Sequence, residues 1–261
     1  MSGLMTEHPT LWQFKYSHFN EKVRWVLDFK RVRHRRRSVL PGPHAPRILW
    51  MTGQKSVPVL ILNGTTIADS TRIIAALEAA HPELPLYPMD VTARQRALEL
   101  EEFFDEELGP YIRRVWFHEI LGDADYSSAQ LTAGFSPTAQ RVYRAFFPVI
   151  AAIMKKDMRI DAANAEAGRA KVNAALDRLE TELQPSGYLV GEQFSVADLT
   201  AAALLAPVVM PPEFAYPLRT PLPAPAATYR ASLAGNPAIQ WATEMFRRHR
   251  GTSMEVVEVR I

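Results

Sequence analysis

Three short polar segments in the first seventy residues carry this chain's capacity for chemistry. Tyr16-Ser17-His18-Phe19-Asn20 is an elbow that runs from an apolar strand pattern into a helical one. A helix start offers unpaired backbone N–H groups and a partial positive charge, so an anion beside Ser17 would be stabilised by hydroxyl and dipole together. The same serine also serves as a plain N-cap, and the two roles are compatible. In Ser56-Val57-Pro58-Val59-Leu60 a proline opens an apolar strand. A cis bond there would turn the Val57 backbone outward toward an extended peptide, whereas a trans bond is the commoner case. Ala68-Asp69-Ser70 stands at a helix start, where a carboxylate and a hydroxyl beside exposed N–H donors can hold a zwitterion or simply cap the helix.

The elements that must position these segments follow from periodicity. Leu11 to Tyr16 reads as a strand, Asn20 to Phe29 as a helix with Val23, Val26 and Leu27 on one face, and Arg36 to Leu40 as a second strand. Pro41 to Gln54 reads as irregular with at most a brief helix. Val57 to Leu62, the Asn63-Gly64 turn and Thr65 to Ala68 form a hairpin, and Thr71 to Ala80 a helix. The order β-α-β-(α)-β-β-α is that of an α/β layer domain. Pro82, Pro85 and Pro88 mark a linker over 82–92, which separates a domain at 1–81 from one at 93–261. Beyond it only helical periods occur: Ala93 to Leu108, Tyr111 to Leu121, Thr138 to Lys156, Ala163 to Leu183, Ser195 to Val209, Ala227 to Ala234 and Ala238 to Arg248. Pro207 to Pro225 is too dense in proline for a helix or a sheet interior and reads as an extended surface connection.

Composition removes several classes of function. The 261 residues include no cysteine, so disulfides, zinc-thiolate sites and protein thiol catalysis are excluded, and any thiol chemistry must use a ligand's sulfur. A formal charge of +2 argues against a nucleic-acid partner, and the basic run Lys30 to Arg37 reads as a solvated loop and strand edge. The most apolar stretch, Leu199 to Met210, is shorter than the ~20 residues that span a bilayer, and Met1 to Pro9 lacks the pattern of a secretion signal, so a cytoplasmic protein is expected. At this length two modest cores are expected rather than one.

Taken in order, the three segments resemble the thioredoxin-like, glutathione-binding domain of cytosolic glutathione transferases. Ser17, five residues before Lys22, matches the active serine of the theta- and zeta-like classes, a bacterial-style pattern. The resemblance implies that Ser17 holds the glutathione thiolate, with Tyr16 as the alternative hydroxyl, and that His18 is a surface or supporting residue rather than a base. It also implies that Val57 and Pro58 receive the cysteinyl backbone, that Asp69 and Ser70 hold the γ-glutamyl end, and that Phe19 and His44 complete the tripeptide site. Gly191-Glu192-Gln193-Phe194-Ser195-Val196-Ala197-Asp198-Leu199 forms a capping box that resembles the start of the core helix in the transferases' helical-bundle domain. A small hydrophobic electrophile would then sit between the domains against Tyr111, Val115, Trp116 and Phe117. The implied activity is glutathione transfer in detoxification, or the related isomerase, dehalogenase or peroxidase chemistry, without a metal and in a homodimer built on the helices from Thr71 and Ala93. A non-catalytic binding or interaction protein on the same scaffold is the alternative. A redox thioltransferase is a third class, against which the lack of cysteine argues.

Overall fold

The computed structural model describes residues 8–256, so most of the Met1 to Pro9 stretch lies outside the described residues. The first part is β1 Thr10–Gln13, α1 His18–Phe29, β2 Arg35–Ser38, α2 Ala45–Thr52, β3 Val59–Leu62, β4 Thr65–Ala68 and α3 Ser70–Ala80. Helices alone follow: α4 Val91–Glu107, α5 Gly109–Ile120, α6 Ala124–Leu131, α7 Pro137–Asp157, α8 Ala162–Glu182, α9 Val196–Val209, α10 Ala224–Leu233 and α11 Pro237–His249. This is a thioredoxin-like domain followed by a helical one.

The sheet runs β2-β1-β3-β4, with β1 parallel to β2 and antiparallel to β3, and β3 antiparallel to β4. Alternation along the strands sorts the side chains onto two faces. Leu11, Leu60 and Leu62 join Val23, Val26 and Ile73 in the main core, while Trp12, Val57 and Val59 pack with Ile48 of α2 on the other face. The Pro41 to Gln54 stretch thus holds a helix of eight residues: Pro46 occupies its first turn, where a missing N–H costs nothing, and Gly53 closes it at φ +76°. The hairpin turn uses Asn63 and Gly64, both at positive φ, as the sequence predicts.

Two separate cores do not form. One cluster runs from Leu11 through α1, α3, α4 and α5 to α9 and α11, because α9 is apolar on every side and packs against α1 as well as α4. Asp198 starts that helix with the predicted capping box, accepting from Ser195 N at 2.9 Å and also from Leu189 N at 2.7 Å. Lys22 fastens the domains from within: fully buried, its Nζ lies 2.8 Å from Glu101 and 2.6 Å from Asp105.

One further expectation is corrected and another extended. The run Lys30 to Arg37 is not simply solvated, since Lys30 donates to the carbonyls of His81 and Leu84, His34 is fully buried, and Arg36 donates to Asp28 at 2.8 Å. Arg36 faces Asp28 of α1 and Glu255, Lys30 pairs with Glu78 of α3, and Arg31, Arg33 and Arg37 stay exposed. The proline-dense stretch begins inside α9, whose last turn includes Pro207; its irregular part is an extended connection with Pro212, Pro217, Arg219 and Thr220 exposed, and it also lines the interdomain cleft through Pro211, Phe214 and Leu218. The short α6, capped by Asp123 accepting from Tyr126 N, lies in a stretch that the helical periods leave unassigned.

Candidate functional site

The register of the sheet gathers the polar segments at one end. Trp12 pairs with Val59, so Phe14 and Val57 lie two residues beyond that pair, at the ends of adjacent strands. Val59 pairs with Ala68, so Asp69 lies at that same end. His44 joins them: its ring meets that of Phe14 edge-on at 4.6 Å, and its Nε2 donates to the Lys55 carbonyl at 2.9 Å. Burial lowers the His44 pKa, which keeps the ring neutral.

Ser17 caps α1, and its Oγ accepts from Asn20 N at 3.4 Å. No described residue accepts the Ser17 hydroxyl proton, so that proton is available to a ligand anion beside the helix start. The Val57-Pro58 bond is cis, and Val57 precedes the first ladder residue. Asp69 caps α3 by accepting from Arg72 N at 3.2 Å and sits at φ +82°, a conformation that L residues adopt at a cost of about 1–3 kcal/mol. Ser70 beside it is buried.

Behind the elbow lies a network of charges that sequence reasoning missed. The fully buried Arg24 donates to Glu21 at 2.6 Å and Gln13 at 2.7 Å, and reaches the carbonyls of Phe14 at 3.3 Å and Ser17 at 3.4 Å. Arg250 donates to the other Glu21 oxygen at 2.5 Å and to Asp28 at 2.8 Å. Gln13 in turn donates to the Tyr216 hydroxyl at 2.8 Å. The elbow backbone is therefore held by one arginine that answers both to the chain's end and to the proline-dense segment. Buried networks of this kind are rigid only when each member is satisfied.

A cavity of about 140 Å³ opens beside the elbow, lined by Tyr16, His18 and Trp116 and roofed by Met210, Pro212 and Phe214. The Tyr16 ring meets Tyr216 at 6.3 Å, and burial with that neighbour raises its pKa, so the hydroxyl stays protonated. His18 is not a surface residue. It is buried, donates from Nε2 to the Gly109 carbonyl at 2.9 Å, and has its pKa lowered to about 3 by burial and then by Arg113. It is a neutral wall at physiological pH. Phe19 packs on Gly109 of α5.

Of the expected electrophile contacts, the structure brings Trp116 to the cavity. Val115 is fully buried against Gly168 of α8, and Tyr111 lies beside Lys171 of the same helix, with Arg114 near its ring. A turn of 100° per residue decides this: Trp116 and Val115 are neighbours in sequence but face different helices. Phe117 packs between the main core and the α6–α7 cluster. Among the described residues, no three acidic or histidine side chains come together in a way that would hold a metal.

Two family models match this chain: the glutathione S-transferase N-terminal domain over residues 11–85 and the glutathione S-transferase C-terminal domain over residues 161–228. The chain belongs to the cytosolic glutathione transferase superfamily. It is 35% identical over 97 residues to glutathione S-transferase 1 of Dianthus caryophyllus, covering 36% of this chain and 44% of that one. It is 28% identical over 96 residues to a probable maleylacetoacetate isomerase of Caenorhabditis elegans, covering 36% and 45%. The match thus spans less than half the length of either curated relative. A glutathione S-transferase of Methylobacillus flagellatus, solved with GSH bound, shares the fold at a TM-score of 0.57 with 22% identity, over 93% of this chain and 96% of the other. No described helix of the transferase-like chain is long and apolar enough to cross a membrane.

Proposed function

We propose that this chain binds glutathione at the sheet end formed by Ser17, Phe19, His44, Val57, Pro58, Asp69 and Ser70, and transfers its sulfur to a small electrophile in the neighbouring cavity. The observation that carries the reading is the hydroxyl of Ser17, its proton free, on the start of α1 and next in sequence to two residues that line the cavity. Val57 would pair with the tripeptide backbone, and Asp69 with Ser70 would take its γ-glutamyl end. Tyr16 serves the electrophile side. A glutathione-bound relative of the same fold and a relative named as an isomerase of maleylacetoacetate favour glutathione-dependent transfer or isomerisation over a scaffold without chemistry.

The energies suffice. A free thiol titrates near 8.5, roughly, so two units of lowering require about 2.7 kcal/mol in favour of the thiolate. One hydroxyl donating to an anion supplies about 1.5–3 kcal/mol, and a helix start adds about 0.3–1. The thiolate then forms a C–S bond with the electrophilic carbon while the leaving group departs with its electron pair. We further propose a cytoplasmic homodimer in contact through α3 and α4. The test is the titration of bound glutathione by thiolate absorbance in wild type and Ser17→Ala. The wild type is expected to hold the thiol about two units below the variant, which keeps its glutathione affinity within a few-fold but loses turnover sharply. Equal titration curves would remove Ser17 from the mechanism.

A further inference from the structure

Helix α7 carries two apolar stripes, and the fold buries one of them. Tyr143, Phe147, Ala151 and Met154 are buried with Leu121, Leu131 and Ile160, and Ile150 completes that inner face against Gly42. The second stripe is Val142, Phe146, Val149 and Ile153, and each of these side chains is more than half exposed. At about 100° per residue the four fall within an arc of about 60°, so they form one continuous strip on the solvent side. Among the described residues no other helix exposes more than two large apolar side chains. Such a strip adds nothing to the core and is the mark of a contact surface.

The charges around the strip are of one sign. No acidic residue occurs between Asp125 and Asp157, and α7 carries Arg141, Arg144, Lys155 and Lys156. Asp125 answers Arg144 at 2.6 Å, whereas Arg141, Lys155 and Lys156 are exposed and form no ion pair among the described residues. Lys156 lies about 20° beyond the edge of the strip. Leu40 and Gly42, which pack on this helix, belong to a second stretch without acid, 29–68, which exposes Arg47 and Lys55. The residues exposed between Arg141 and Lys156 are valine, alanine, phenylalanine, proline, isoleucine and cations, with no neutral hydrogen-bonding side chain among them.

We propose that the outer face of α7 docks on an anionic lipid bilayer, with Val142, Phe146, Val149 and Ile153 in the headgroup–acyl boundary and Arg141, Lys155 and Lys156 on lipid phosphates. An apolar strip edged by cations is what an interfacial helix needs, and a negatively charged leaflet attracts it. A second copy of this chain is a poor occupant, because it would set Arg141 and Lys156 against cations of their own kind. A dimer through α3 and α4 does not employ this face. A protein partner normally adds hydrogen bonds at a regular density, and the strip offers no neutral group to make them. Docking in the plane of the interface requires no membrane-crossing helix.

The test pellets the full chain with vesicles of phosphatidylcholine alone and of an equimolar mixture with phosphatidylglycerol. The wild type is expected to favour the mixed vesicles by about tenfold or more and to be released as salt rises. Phe146→Glu should lower the partition by about tenfold or more, and Lys155→Gln with Lys156→Gln by about fivefold per charge removed. All three positions are exposed, so melting temperatures should stay within about 2 °C of wild type and glutathione affinity should not change. A wild type that stays in the supernatant, that binds both vesicle types alike, or whose binding survives Phe146→Glu overturns the proposal. Light scattering checks the rival occupant: a subunit count that falls in Phe146→Glu would assign the strip to a second copy and overturn the lipid reading.

Discussion

Replacing Arg24 by methionine tests whether the buried charges behind α1 hold the elbow in place. Methionine fills much of the arginine stem but offers no donor, so Glu21 loses its 2.6 Å partner and Gln13 its 2.7 Å partner, while Arg250 keeps the other Glu21 oxygen. Breaking a buried ion pair costs about 3–5 kcal/mol, and the surviving Arg250 contact places this case near 3. For a chain of this size that corresponds to a fall in melting temperature of about 6–12 °C. The carbonyls of Phe14 and Ser17 lose their anchor as well, so kcat should fall with the stability, because a loosened elbow no longer presents the Ser17 hydroxyl in one orientation. Thermal melts of Arg24→Met, Glu21→Gln and the double variant form a cycle in which the double change costs less than the sum by about 1 kcal/mol or more. A melting temperature within about 2 °C of wild type, together with normal turnover, would refute the view that this network positions the site.

Two further outcomes follow from the buried titratable groups. His18 and His34 have folded pKa values lowered to about 3 and about 4, first by burial, so the stability they carry is present above the ordinary value of 6.5 and is lost as pH falls toward the folded values. From pH 6.5 to about 5 each forfeits about 2 kcal/mol, while Asp198, raised to about 6 by burial, gives back about 1.4 on protonation. Denaturant melts should therefore show a net loss of stability on mild acidification that is smaller in His18→Phe; a gain at pH 5 in the wild type would contradict the burial of both rings. Asp198→Ala removes the acceptor of Leu189 N, Ser195 N and the Ser195 hydroxyl, and should cost about 3–5 kcal/mol in urea melts without altering glutathione affinity in the protein that remains folded.

Local signals made the strands, the hairpin and most helices legible, because alternation, Asn63-Gly64 and the capping residues act within a few positions. The sheet register was not legible, yet it is what brings Phe14, Val57 and Asp69 to one edge from strands far apart in sequence. The capping box at Ser195 was read correctly from four residues, whereas the reach of Asp198 to Leu189 depends on a loop with no pattern of its own. The proline-dense stretch is the extended connection its composition implies, but its place over the cleft was not legible, because proline reports only what a segment cannot be. Its Phe214 and Tyr216, unusual in a solvated connector, were the signal that it covers something. Arg24 and Arg250 escaped notice because a charged residue in or beside a helix reads as solvent-facing until tertiary packing buries it.

The central claim is that the sheet end beside Ser17 binds glutathione as a thiolate. Calorimetric titration of the purified chain with glutathione and with S-methylglutathione tests it most directly. Saturable heat with glutathione near one site per chain, weaker for the methylated form and diminished by Asp69→Ala, is the result predicted. Absence of heat and of thermal stabilisation at millimolar glutathione would contradict it.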